Sequence, residues 1–276
     1  MFTISASEAK AKRLTHMRKG VCAAAKAIDD KFRAEYGEPT MRNGVFRRSS
    51  PYRTALVTLT YRPDAQWEPK HIAELIKHYR EWFKRKHKLV FHYVWTVELQ
   101  GNGKPHYHLV AWFPRGVVPP LPDKQGWWQH GMTNAVFARS PVGYIAKYAS
   151  KTEGKSAMHL PKRARLWGYG GLSGTEKAPV LISVAPRWLK FLIPEWAMPR
   201  KRVIDLRAMG NFSAPKPFAS AWVLTCAGVF SGWAYFGPYE FQDLNRETQS
   251  LVVSHRGFIE VLTPNDGTFT VTHSEQ

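Results

Sequence analysis

The sequence predicts an α+β fold: a central antiparallel sheet covered by helices, preceded by a long N-terminal helix and followed by a small β-rich region. Three observations predict it. Apolar residues keep a helical period from Ser5 to Tyr36. A strand, an amphipathic helix and a hairpin then follow one another between Ala55 and Phe113. From Phe218 onward, short apolar runs alternate with turn residues.

In the first helix Leu14, Met17, Val21, Ile28 and Phe32 hold the period, interrupted only at Gly20. Ser5 with Glu8 forms a capping-box signature, and the other faces are basic. Gly37 to Tyr52, with Pro39, Asn43-Gly44 and Pro51, reads as a linker. Ala55–Tyr61 is the first strand. Glu68 to Lys88 is a helix with an apolar stripe of Ile72, Leu75, Ile76, Tyr79, Trp82 and Phe83, and its cations gather toward the C-terminus, where the dipole favours them. Phe91–Glu98 and His106–Phe113 form the hairpin, and Pro114 to Gln125 is a proline-rich loop. Ser140 as N-cap and Pro141 in the first turn start a short helix that Gly154 can end. These boundaries divide the chain into residues 1–52 (basic helix and linker), 53–175 (core) and 176–276 (mostly β, of unassigned role).

Composition narrows the function. The chain has 276 residues, 44% of them hydrophobic, which suits one or two globular domains. Its 40 basic against 21 acidic residues give a formal charge of +19, the footprint of a phosphate-backbone binder. Cys22 and Cys226 are too few and too far apart for a disulfide framework, and no signal peptide opens the chain, so a reducing cytoplasm is expected. Phe218 to Tyr239 carries no charge and is long enough to span a membrane. Its polar Ser220, Thr225 and Ser231 and its glycines predict short strands and turns instead, so no membrane span is expected.

The hairpin carries chemistry. His106 and His108 are two apart, so a strand aims both imidazoles at one face and Tyr107 at the other. With an odd-numbered loop centred on Asn102, Glu98 stands opposite His106 and shares that face. A tight Asn102-Gly103 turn would set Glu98 opposite Tyr107 and turn the carboxylate away. Two hydrogen-bonded histidines in a strand are the plainer alternative to a metal site. Further along, the short helix brings Tyr144 and Tyr148 onto one face and Lys147 and Lys151 onto a neighbouring stripe. By itself such a helix can be a core element with packed rings and extended lysine stems.

Together these motifs resemble the HUH endonucleases, and among them the two-tyrosine rolling-circle replication initiators of single-stranded DNA phages and plasmids. The likeness rests on the ALVTLTY strand, the His106-Tyr107-His108 motif after GKP with Glu98 upstream, and the doubled Tyr-x-x-Lys of Tyr144–Lys147 and Tyr148–Lys151. It spans about Thr54 to Gly174. The resemblance implies a ferredoxin-like HUH core and magnesium or manganese on Glu98, His106 and His108. It also implies nicking of one DNA strand, leaving a 5′-phosphotyrosine and a 3′-OH primer, with the second tyrosine for termination and joining. A tyrosine suits that task because it makes a stable but reversible phosphodiester. Its phenol, with an ordinary pKa of about 10, needs a nearby cation or a polarised phosphate, which the metal and Lys147 or Lys151 would supply. Two imidazoles and a carboxylate do not by themselves fix the metal, since zinc and iron use similar sets.

Further on, Lys162, Arg163 and Arg165 interleave with Trp167 and Tyr169 between glycines, a pattern suited to single-stranded DNA; a loop packed by Trp167 is the alternative. No P-loop sequence is present, so a host helicase would unwind the origin DNA and a host polymerase extend the primer, in a bacterial cytoplasm if the gene is a phage's. A two-tyrosine transposase would share these motifs, and a basic DNA-binding protein without enzymatic activity would share the charge.

Overall fold

The computed structural model describes residues 6–43, 45–47, 49–99, 103–138, 140–151, 160, 164–185 and 190, together with 197–205, 218–226, 232–237, 240–244, 253–255, 259–262 and 269–272. The chain separates into two units, Met1–Ser173 and Gly174–Gln276. The first is an α+β unit. Helix α1 (Ala6–Tyr36) leads through a two-residue ladder, β1 (Met41–Arg42) with β2 (Val45–Phe46), into β3 (Tyr52–Leu59). There follow α2 (His71–Trp82), β4 (His92–Leu99), β5 (Pro105–Pro114), β6 (Thr133–Phe137), α3 (Pro141–Lys151) and β7 (Trp167–Gly170). Ser5 and Gly154, expected to begin and end two of the helices, lie outside the described residues.

The five larger strands form one antiparallel sheet in the order β6-β3-β5-β4-β7. Strands β3 and β4 run parallel with β5 between them, so β3–α2–β4 is a split β-α-β unit of ferredoxin-like type. Alternation assigns the two faces. Tyr107, Leu109, Ala111 and Phe113 of β5 join Val57, Leu59, Tyr93, Trp95 and Val97 in a core that α2 closes with Ile72, Leu75, Ile76 and Tyr79. Each such buried aliphatic side chain contributes about 2 kcal/mol. The other face carries His106, His108, Val110 and Trp112, and lies under α1 and α3.

Several boundaries differ from the sequence reading, for tertiary reasons. Strand β3 starts at Tyr52 because it pairs with Pro114 at the far end of β5. It ends at Leu59 because Thr60 and Arg62 turn their amides to the carbonyls of Met132 and His130. Helix α2 widens into a π-helical turn, Phe83–His87, and stops where Lys88 adopts a left-handed conformation. Strand β6 was not expected; it is an edge strand, with Val136 and Phe137 about half exposed. Strand β7 lies in the basic and aromatic stretch for which a loop packed by Trp167 was the alternative reading. Its Gly168 and Gly170 lie where a Cβ would run into the rings of Trp95 and Tyr93, so the close approach of the strand requires them.

Helix α1 is fastened to the sheet by a polar anchor inside an apolar contact. Asp29, 6% exposed, accepts hydrogen bonds from the Tyr52 hydroxyl and Trp112 Nε1, each at 3.1 Å, and from Arg33 Nε at 3.0 Å. Further along, the Trp167 ring fills the space over Gly20, the residue that interrupts the helical period. A methyl there would stand 2.3 Å from the indole.

In the second unit α4 (Ala178–Val184) precedes a five-stranded antiparallel sheet of β8 (Ala197–Asp205), β9 (Phe218–Cys226), β10 (Gly232–Gly237), β11 (Glu240–Leu244) and β12 (Val253–His255), with a separate hairpin of β13 (Ile259–Leu262) and β14 (Phe269–Thr272). The uncharged stretch from Phe218 thus provides two strands, and no described helix is long and apolar enough to cross a membrane.

Two outcomes follow. Asp29→Ala removes the buried acceptor shared by Tyr52, Trp112 and Arg33, and should cost about 3 kcal/mol in urea unfolding. The imidazoles of His71 and His130 stack at 3.6 Å, and burial lowers the pKa of both below 6.5. A base whose folded pKa is depressed lends its stability above the unfolded value and loses it as pH falls through the folded one. Stability should therefore decline on acidification below about 6.5, and His71→Phe should flatten that part of the profile.

Candidate metal and nucleophile site

Across the β4–β5 pair, Glu98 faces His106, Thr96 faces His108 and Val97 faces Tyr107. This is the register that an odd-numbered loop demands, although residues 100–102 of the loop lie outside the described residues. It puts the carboxylate and both imidazoles on the face shared with α3. Ligand atoms of the three residues all lie within 4.8 Å of one another. His108 is 3% exposed, and its Nε2 is 2.9 Å from Oε1 of Glu98. The two imidazoles meet edge to face with centroids 4.6 Å apart.

Outer partners set the ligand rings. Thr60 Oγ1 lies 3.3 Å from Nδ1 of His106, a contact that orients the ring. Thr60 is held in turn by Trp128 Nε1, which donates to its carbonyl at 3.2 Å. No sequence signal marks Thr60 for this part, since it sits just past the strand's last ladder pair. On the far side of the hairpin the Lys104 ammonium donates to the carbonyls of Arg62, Pro63 and Ala65, tying the turn to the loop after β3.

The residues fit a cation. Nδ1 of His108 is buried without a hydrogen-bond partner, so the contact with Glu98 alone leaves the ring incompletely satisfied. Two imidazoles and one carboxylate converging from neighbouring strands are a donor set for a divalent metal, with positions left over for oxygen ligands, and they leave its identity open.

Helix α3 delivers a phenol to this place. It buries Ile145 and Ala149 completely, which fixes its rotation and leaves Tyr144 and Tyr148 half-buried. The Tyr148 ring stacks on the His108 imidazole, with centroids 3.5 Å apart and planes at 14°. Tyr144 lies one turn earlier, its amide donating to the Ser140 carbonyl at 2.9 Å. Lys147 is exposed and Lys151 closes the helix. Tyr52 and Tyr107 of the sheet, Tyr61 beyond β3 and Tyr79 of α2 are core residues. Burial pushes the Tyr107 phenol up to about 12 and also raises those of Tyr52, Tyr61 and Tyr79, so they stay protonated as core groups.

The residues expected to meet DNA divide. Arg165 is exposed, its guanidinium 5.9 Å from the centre of the Trp95 ring. Trp167 belongs to β7, where it stacks on Tyr169 and packs over Gly20. Lys162 and Arg163 lie outside the described residues.

Residues 54–153 match the model of a family of replication-associated proteins, the ORF2 type. The match covers about a third of the chain and takes in β3, the hairpin and α3; α1, β7 and everything from Gly174 onward fall outside it. No curated protein and no solved structure matches the chain.

Occupancy by a metal is measurable without activity. At a hundred times its Kd, a ligand that binds only the folded state adds about 2.7 kcal/mol. Manganese should therefore raise the thermal midpoint of the protein in scanning calorimetry, and Glu98→Ala and His108→Ala should each lose that rise.

Proposed function

We propose that the protein initiates rolling-circle DNA replication as a metal-dependent nicking and joining enzyme of the HUH endonuclease type. The observation that carries this reading is the stacking of Tyr148 on His108, because it sets a half-exposed phenol beside two imidazoles and a carboxylate. The replication-associated family match over residues 54–153 supports the biological role, and the charge of +19 supports a DNA substrate.

In this reading Glu98, His106 and His108 hold a divalent cation, magnesium or manganese, which supplies Lewis-acid polarisation of the scissile phosphate. The Tyr148 phenol gives its proton to solvent and its oxygen attacks phosphorus. The P–O3′ bond breaks, and the 3′ oxygen takes up a proton to leave as the 3′-OH primer. The 5′ phosphate stays on Tyr148 as a phosphodiester. Lys147 favours the phenolate and the phosphate charge from the adjoining stripe, as Lys151 does one turn on. Tyr144, about 6 Å along the helix axis, cuts the regenerated junction after one round. The 3′-OH then released attacks the Tyr148 phosphodiester, which closes the circle and frees the phenol. Helicase and polymerase come from the host.

Single-stranded origin oligonucleotides incubated with the protein and manganese should give a covalent adduct that mass spectrometry maps to α3. Tyr148→Phe should lower adduct formation at least ~10³-fold. Tyr144→Phe should keep the adduct and lose strand joining. A wild-type protein that binds the oligonucleotide yet forms no tyrosine adduct with either metal would sink the enzymatic reading.

A further inference from the structure

Along the edge of the sheet, a cavity of about 410 Å³ opens between α1 and β7. Arg13 and His16 form one wall, and Arg165, Trp167 and Tyr169 the other. The spacing explains the arrangement: Arg13, His16 and Gly20 fall on one stripe of α1, and Trp167 packed over Gly20 turns that stripe toward β7. On β7, Trp167 and Tyr169 are two apart and leave the same face, with their rings 5.7 Å apart at 15°. Arg13 Nη2 donates to the Ala164 carbonyl at 3.3 Å, which holds the guanidinium at the mouth.

The chemistry of these walls is selective. The volume lies in the range of pockets that take small organic ligands. Among the described residues no acidic side chain lines it, and two arginines line it together with a pair of flat rings. That combination matches one nucleotide of a single strand, a phosphate for the arginines and an unstacked base for the aromatic wall. A duplex would keep its base faces covered. The position suits it also. Trp167 pairs with Thr96 and Thr96 with His108, so the cavity edge stands two strand spacings, about 10 Å, from the metal triad along one row of the sheet.

We propose that this cavity binds one nucleotide of the single strand being processed, with Arg13 and Arg165 on its phosphate and the Tyr169–Trp167 stack against its base. The proposal rests on the nicking reading only for which strand is held. It adds Arg13 and His16 to the nucleic-acid surface, and it gives α1 a binding function beside its packing role.

The test measures binding of fluorescent single-stranded DNA to the full chain in EDTA, so that no nicking is required. Arg13→Gln and Arg165→Gln should each weaken affinity five- to tenfold at low salt and reduce the slope of log K against log salt by about 0.7. Tyr169→Ala should weaken it about tenfold and leave the slope unchanged. Wild-type protein irradiated with bromodeoxyuridine-substituted oligonucleotide should cross-link through the peptide that carries Trp167 and Tyr169. A double Arg13→Gln, Arg165→Gln variant with a native circular dichroism spectrum and unaltered affinity and slope would overturn the proposal. If that variant does not fold, cross-links found only in other peptides of the wild type overturn it. Failure of the nicking reading looks different: no tyrosine adduct in manganese, with the binding in EDTA intact.

Discussion

Because side chains alternate along a strand, sliding β4 past β5 by one residue would send Glu98 to the α2 face while the histidines stayed behind. The pairing of Glu98 with His106 is therefore the constraint on which the rest depends. Burial enforces it. Val97, Trp95 and Tyr93 of β4 would lose their place in the α2-side core in that shifted register, and that apolar loss far outweighs the few polar contacts at stake. Glu98, His106 and His108 thus inherit their geometry from the hydrophobic residues between them. The Lys104 ammonium, reaching three carbonyls after β3, adds a polar tie at the turn, next to the strand end that supplies Thr60.

The covering helices make a second layer of the same logic. Met17 lies over Thr96 and Phe32 against His92, so α1 follows β4 along its length and forms a wall on which α3 rests. Ile145 and Ala149 need that wall to be buried; once buried, they commit the opposite edge of α3, and so Tyr148, to the imidazoles. With its ring stacked on His108, the Tyr148 phenol shares one surface with Glu98 and the two imidazoles.

Much of this was legible in the sequence because periodicity carries it. The helical stripe from Leu14 to Phe32, the α2 stripe and the alternation of β5 each report burial directly. The hairpin register needed one further assumption, the parity of the loop, which no local propensity decides. Strand β6 was illegible because an edge strand with half-exposed Val136 and Phe137 has no clean alternation. Strand β7 was hidden by its glycines, which signal a loop in sequence and here answer to Trp95 and Tyr93. Gly20 misled in the same way, as a flaw in a helix that is in fact a socket for Trp167. The spacing of Tyr144 and Tyr148 fixed a shared helix face, and only the burial of Ile145 and Ala149 could say which way that face turns.

The interlock of α1 with the sheet bears on how small the working unit can be. The stretch that carries every motif, 54–153, begins after α1 and ends before β7. A fragment trimmed to it would lay bare Val94, Val110 and Trp112, the floor on which α1 sits, and would lose the outer neighbour of β4. Such a piece would keep Glu98, His106, His108 and both phenols and still present a greasy slab to water, prone to self-association. The compact unit is the whole of Met1–Ser173, in which the first helix covers one face of the sheet.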